Sequence, residues 1–156
     1  MTEIRQVFTD KSRYMDILLI GDEQEDMVLK YLDRSELFVL EIDSAVVGVC
    51  AVTDEGNGIC ELKNIAVKPE FQRHGYGKML IDFIISHYLE RFDILLVGTG
   101  DSPLTVPFYE KCGFVRSHAV KNFFTDNYDH PIFEGGVQLV DMIYFRMKLR
   151  RNYETD

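Results

Sequence analysis

Gln72-Arg73-His74-Gly75-Tyr76-Gly77 is the stretch of this chain whose residue types and spacing best suit chemistry. It follows an apolar run ending at Val67 and a turn through Lys68-Pro69-Glu70, and it leads into a helix-patterned segment. Glycines at 75 and 77 let backbone N–H groups point inward without Cβ obstruction, and a helix N-terminus adds partial positive charge. Such a turn cradles an anion, and a pyrophosphate suits it. Metal chemistry is not predicted. Cys50, Cys60 and Cys112 form no CxxC pair, and His74, His87, His118 and His130 share no ligand spacing with them or one another. The odd cysteine count in apolar or small-residue settings reads as buried, reduced thiols.

The elements that must hold this turn follow from periodicity. Residues 3–8 alternate as a first strand, and 11–20 and 24–34 carry helix-spaced apolar positions, with Asp22 or Asp26 as a cap for the second helix. Strands are expected at 37–42, 45–53 and 59–67, joined by Asp43-Ser44 and by turn residues 54–58. Residues 76–90 place Leu80, Ile81, Ile84, Ile85 and Tyr88 on one helical face. The run 93–97 reads as a central strand buried on both faces. Ser102-Pro103 suits an N-cap and first-turn pair for a short helix closed by Gly113, although Pro107 would kink that helix or delay its start. Strands over 114–124 and 137–149 complete a mixed α/β domain.

A second motif, Phe108-Tyr109-Glu110-Lys111-Cys112-Gly113-Phe114, lies downstream of the 93–97 strand. With the V-x-P-x-x-Q-R-x-G-Y-G pattern at 67–77, it resembles the GNAT superfamily of acetyl-CoA-dependent N-acetyltransferases over essentially the whole chain. The ending HPIFEGGVQLVDMIYFRMKL is similar to a branch of small bacterial members. The resemblance implies a mostly antiparallel sheet of about seven strands, splayed in the middle, with about four helices. It implies one acetyltransferase domain over 1–156, with 150–156 as a frayed tail.

The site residues are expected from the same resemblance. The backbone of Ile65, Ala66 and Val67 would bind the pantetheine arm as an added strand. The N–H groups of Arg73, His74, Gly75, Tyr76, Gly77 and Lys78, next to Gln72, would hold the pyrophosphate, with Arg73 and Lys78 adding charge. Strands 59–67 and 93–97 would diverge at Gly98-Thr99-Gly100, leaving a slot for acetyl-CoA. Tyr109 occupies the general-acid position, suited to protonating the departing thiolate, and Glu61 a position that often supplies a base through water. N–H donors at 66–67 would stabilise the oxyanion. Glu61 equally suits a surface pair with Lys63, since simple alternation puts 61, 63 and 65 on one face. Family members often carry Asn where this chain has Ser102, so a cofactor contact there is shorter in reach. Cys112, at a helix C-terminal end where no dipole lowers its pKa, is expected to pack rather than form an acetyl-cysteine. The acceptor implied is a primary amine, left open among polyamine, amino acid, antibiotic and protein N-terminus. Pairing through the C-terminal strands, frequent in the family, leaves a homodimer open.

Charge bounds the partners. Lys and Arg total 17 against 26 Asp and Glu, a net of −9, which argues against nucleic acid or an anionic membrane. Residues 1–45 hold 11 acids and 5 bases, net −6, whereas Lys68, Arg73 and Lys78 make the glycine turn locally basic. That unevenness suits an anionic cofactor on one side and a cationic acceptor on the other, and solvation of the surface explains it equally. The absence of an apolar leader predicts a cytoplasmic protein. Ile94–Asp101 superficially matches a dinucleotide-binding turn, but Pro103 stands where its third glycine belongs. A GNAT fold that senses acetyl-CoA without turnover remains the rival.

Overall fold

The structure, a computed structural model, describes residues 1–149; the tail expected to fray at 150–156 lies outside them. Strands β1 (Thr2–Val7), β2 (Glu36–Ile42), β3 (Ala45–Gly56) and β4 (Ile59–Val67) form an antiparallel run. The β2–β3 turn places Asp43 and Ser44 at φ 49° and 72°, and the β3–β4 turn places Asn57 and Gly58 at φ 56° and 77°. Both suit the twist of tight hairpins. After helix α3 (Tyr76–Tyr88), strand β5 (Ile94–Gly100) joins β4 in parallel. Strand β9 (Met142–Lys148) then separates β5 from the edge strand β6 (Val115–Val120), giving the order β1-β2-β3-β4-β5-β9-β6. This is the mixed, mostly antiparallel seven-strand sheet expected.

Both faces of the sheet are covered. On one, α3 buries Leu80, Ile81, Ile84 and Tyr88 against Phe38, Leu40, Cys50 and Leu95. On the other, Ile17, Leu18, Val28 and Leu32 pack on Leu37, Val39, Val49 and Ala51. Each such side chain contributes about 1.5–3 kcal/mol of burial.

The N-terminal helices are shorter than periodicity suggests. A 3₁₀ turn at Lys11–Tyr14 leads into α1 (Met15–Gly21), and α2 covers only Glu25–Leu29. Gly21 ends α1 where a Cβ would come within 2.3 Å of Asn64 Oδ1 on β4. Neither Asp22 nor Asp26 caps α2; Gln24 holds that position without a side-chain bond. The helix expected from Ser102 starts at Thr105, and α4 spans Val106–Lys111, because Pro107 fits only the first helical turn. Its end is as expected. Gly113, at φ 102°, donates to Glu110 O and Phe114 donates to Tyr109 O, the paired bonds of a Schellman stop.

The segment after β6 is not one long strand. Asn122, at φ 57°, turns the chain into a fifth helix, α5 (Phe123–Asn127), followed by a hairpin of β7 (Phe133–Glu134) and β8 (Val137–Gln138). Phe124, Ile132 and Leu139 form a small buried cluster beneath it. No helix among the described residues is long and apolar enough to cross a membrane.

Candidate active site

Two irregularities in β4 create the site. Pairing of β4 with β5 runs only from Ile59↔Ile94 to Leu62↔Val97, although β4 continues to Val67 and β5 to Gly100. The strands therefore splay, and a cleft of about 700 Å³ opens between them. At the same point the β3–β4 register jumps from Ala51↔Asn64 to Val52↔Leu62, so Lys63 is a bulged residue. The bulge shifts the alternation. Cys60 and Leu62 face the α3 core, as do Ile65 and Val67, while Asn64 and Ala66 face α1. The expected shared face of 61, 63 and 65 is thus broken after Lys63.

Freed of β5, the edge of β4 offers backbone groups to the cleft. Lys68 N donates to Val47 O, and antiparallel pairs alternate between bonded and non-bonded. Ala66 therefore turns its N–H and C=O to Val49, whereas Ile65 and Val67 turn theirs outward. Of the two N–H donors expected at 66–67, the one facing the cleft is that of Val67. Gln72 Nε2 donates to Val67 O at 2.9 Å, tying the glycine turn to the strand end. Arg73 takes φ 65° and Gly75 φ 85°, the latter as N-cap of α3. Among the described residues the N–H groups of Arg73, His74 and Gly75 donate to no backbone carbonyl, and those of the first α3 turn have no acceptor within the helix. An anion cradle results. Gly77 carries no side chain because Phe108 lies where one would go, 3.3 Å from its Cβ position.

Ile65, Ala66, Val67, Gln72, Arg73, Gly75, Tyr76, Gly77, Lys78 and Tyr109 all border the cleft. His74, Ser102 and Glu61 do not. His74 Nδ1 turns toward the carbonyls of Gln72 and Phe71 on the exposed side of the turn. Ser102 is 2% exposed, and its hydroxyl accepts from Leu104 N–H at 3.0 Å, bracing the turn before α4 instead of capping the helix. Pairing of β5 with β4 ends at Val97, so the strands diverge at Gly98 as expected, while Gly98 and Gly100 stay paired with β9. Their missing side chains make room for Met142, Tyr144 and Leu139, which come within 2.5–3.0 Å of the Cβ positions.

Tyr109 is 6% exposed on α4, its ring against Phe114 and Phe145. Its hydroxyl makes no hydrogen bond among the described residues, and burial, reinforced by Cys112 and Glu134, raises its pKa well above the phenol range. It stays protonated at neutral pH. Glu61 is held by Lys63 Nζ at 3.1 Å and accepts from Tyr144 OH at 3.5 Å. Burial raises its carboxyl pKa, against the opposing pull of Lys63. Burial likewise raises the Cys112 thiol, opposed by Lys78, and pushes Cys50 and Cys60 up to about 12. None of the three is primed as a thiolate nucleophile.

The chain matches the family model described as an acetyltransferase (GNAT) domain over residues 33–116. It is 35% identical over 136 residues to the uncharacterised N-acetyltransferase YvbK of Bacillus subtilis (strain 168), covering 86% of this chain and 88% of that protein. The chain belongs to the GNAT family of acetyltransferases. The enzyme is therefore an acetyl-CoA-dependent acyltransferase. A GNAT acetyltransferase from Elizabethkingia anophelis with acetyl-CoA bound superimposes with a TM-score of 0.90 at 31% identity, over 95% of this chain and 98% of that one. A Bacillus subtilis acetyltransferase in complex with CoA gives 0.86 at 32% identity, over 96% and 99%.

The opposite wall of this acetyltransferase's cleft draws on the α1–α2 loop, on β4 and on the segment over 122–139, an insert between β6 and β9. Asn64 donates to Leu18 O at 2.9 Å and to Tyr31 OH at 3.0 Å. Tyr31 donates to Asp22 at 3.3 Å, and Tyr128 of the insert donates to the same carboxylate at 2.5 Å. Burial raises the Asp22 pKa, and the two phenols hold it down. Asp129 N donates to Gln24 Oε1 at 3.1 Å, a second tie from insert to α1–α2 loop. Of these residues Asp22, Asn64 and Tyr128 line the cleft, together with Glu23, Phe124, Ile132 and Glu134. The acidity of residues 1–45 hinted at Asp22 and Glu23; no local motif marks Asn64 or Glu134.

Proposed function

We propose that the protein transfers the acetyl group of acetyl-CoA to a primary amine by direct attack within a ternary complex. The observation that carries this reading is the joining of three features in one cleft. They are the N–H-rich turn at 73–78, the unpaired edge of β4 at Ile65 and Val67, and the unbonded Tyr109 hydroxyl. The pyrophosphate would lie on the turn and the pantetheine arm along β4. The thioester oxygen would meet the outward N–H of Val67, a donor fixed by the β3 pairing of its neighbours. The amine nitrogen bonds to the thioester carbon, the C–S bond breaks, and the thiolate takes the Tyr109 proton. The proton lost by the amine passes through water to Glu61, whose raised carboxyl pKa makes it a better base than an ordinary glutamate.

Thiol release from acetyl-CoA across a chemically diverse amine panel tests the reading. Turnover with at least one primary amine is expected. Tyr109→Phe should lower kcat by about 100-fold or more, with the Km for acetyl-CoA little changed. An unchanged rate at every pH would remove Tyr109 as the acid. Acetyl-CoA binding with no turnover on any amine would leave a sensor.

A further inference from the structure

Four carboxylates stand in or beside the cleft: Glu23 lies 3.9 Å from His130 Nε2, and two others are already engaged. Asp22 accepts from Tyr31 and Tyr128, and Glu61 from Lys63 and Tyr144. Glu134 differs. It borders the cleft, and although Ser102 donates to its carboxylate, its Oε1 is enclosed with no hydrogen-bond partner among the described residues. Leaving an enclosed acceptor unpaired costs about 1–3 kcal/mol, more when it is charged. A fold that keeps such a group in a ligand cleft leaves it for a donor on the ligand.

The side chain is also held in place. Glu134 ends β7 immediately before Gly135 and Gly136, which take φ 57° and 77°. The tip rests on Pro103 and Leu104, which come within 3.2–3.3 Å of the Gly135 Cβ position. That contact brings the carboxylate to the α4 end of the cleft, near enough for its charge to act on Tyr109. Around it the lining is apolar: Phe124, Ile132, Leu139 and Met142.

We propose that Glu134 is the residue that selects the acceptor, binding its ammonium group, and that the acceptor is a monoamine carried on an apolar body. The inference rests on the acetyltransferase reading above and names the substrate class for that cleft. An ammonium in the cleft supplies a donor to Oε1 once the side chain turns that oxygen outward, offsets the half-buried charge, and passes a proton through water to Glu61 before its nitrogen attacks. The Phe124–Ile132–Leu139 surface takes the hydrocarbon. An acceptor bearing its own carboxylate would face Asp22, Glu23 and Glu134 together, a like-charge arrangement that opposes binding.

Calorimetric binding of phenethylamine to the CoA-saturated protein tests this without requiring turnover. Wild type should bind phenethylamine at least tenfold more tightly than 2-phenylethanol, phenylalanine or spermidine. Glu134→Gln should weaken phenethylamine at least tenfold, with CoA affinity and melting cooperativity retained as evidence of folding. Equal phenethylamine affinity in the variant, no detectable binding in wild type, or tighter binding of spermidine or the alcohol would each overturn the proposal. Glu134-dependent binding without thiol release would uphold it while removing the transfer reading. Thiol release from phenethylamine unaffected by Glu134→Gln would do the reverse.

Discussion

The two walls of the cleft are built on different principles. The wall around the glycine turn is backbone: outward N–H groups at Ile65 and Val67, an N-cap at Gly75, and a close approach at Gly77 that Phe108 enforces. Nearly all of it comes from one contiguous stretch, 63–78. The facing wall is side chain: Asp22 and Glu23 after α1, Asn64 on β4, and Phe124, Tyr128 and Glu134 from the insert. Tyr128 and Asp22 are 106 residues apart in sequence. Backbone recognition suits a substrate part common to many enzymes, whereas assembled side chains suit the part that differs. Substitutions on the two walls should therefore move different kinetic constants.

The largest expected effect lies outside either wall, at the proposed base Glu61. Glu61→Gln should lower kcat by about 100-fold, since general base catalysis contributes roughly 10²–10⁴. Burial raises the Glu61 carboxyl pKa, so the base form appears at higher pH than for a free glutamate. The rising limb of the wild-type rate profile should accordingly sit above the ordinary carboxylate range near ~4.3 and vanish in the variant. A limb that persists in Glu61→Gln assigns the base elsewhere.

Gly77→Val separates the walls more sharply. The new side chain drives into Phe108, and overpacking of this kind costs about 1–3 kcal/mol. The Km for acetyl-CoA should rise about tenfold, with the Km for amine within twofold. Tyr128→Phe should do the opposite at smaller scale. Removing one hydroxyl from Asp22 costs about 1 kcal/mol, so the amine Km should rise about fivefold and the acetyl-CoA Km should hold. Equal movement of both constants in either variant would mean that the walls act as one unit.

The same contrast explains what could be read before the fold was known. The turn at 72–78 and the Tyr109–Gly113 stop depend on local geometry. Positive φ at glycine, a helix N-terminus and a Schellman stop leave marks in consecutive residues, so they were legible. Strand periodicity likewise located β4, and helical periodicity α3. Three things were not legible. The bulge at Lys63 reversed the alternation that would have put Glu61 and Ile65 on one face, because a register shift depends on the partner strand. For the helix after β5, Ser102-Pro103 read as an N-cap while Pro107 left a kink or a delayed start open, and only the fold shows that the start is delayed. The helix and hairpin over 123–138 were not foreseen between the strands expected at 114–124 and 137–149, because the apolar residues Phe124, Ile132 and Leu139 are spaced to meet each other and fit no single helix or strand period.

The smallest effect concerns stability and isolates the acceptor wall. Burial raises the Glu134 carboxyl pKa, with Ser102 pulling it down and Glu23 pushing it up. A carboxyl whose pKa is higher folded than unfolded favours folding when protonated, and it loses that contribution as pH rises through the folded value. Glu134→Gln has no proton to lose. Its melting temperature should exceed that of wild type by about 2 °C at neutral pH, a size fitting a charge partly screened by water. The gap should close below about pH 4, where wild type is protonated in both states. Saturating phenethylamine should close it at neutral pH as well, because a bound ammonium supplies the partner that Oε1 lacks. Thermal melts at three pH values, with and without the amine, measure both. A variant that melts below wild type at pH 7 without ligand would show that the Ser102 bond outweighs the cost of burying the Glu134 charge.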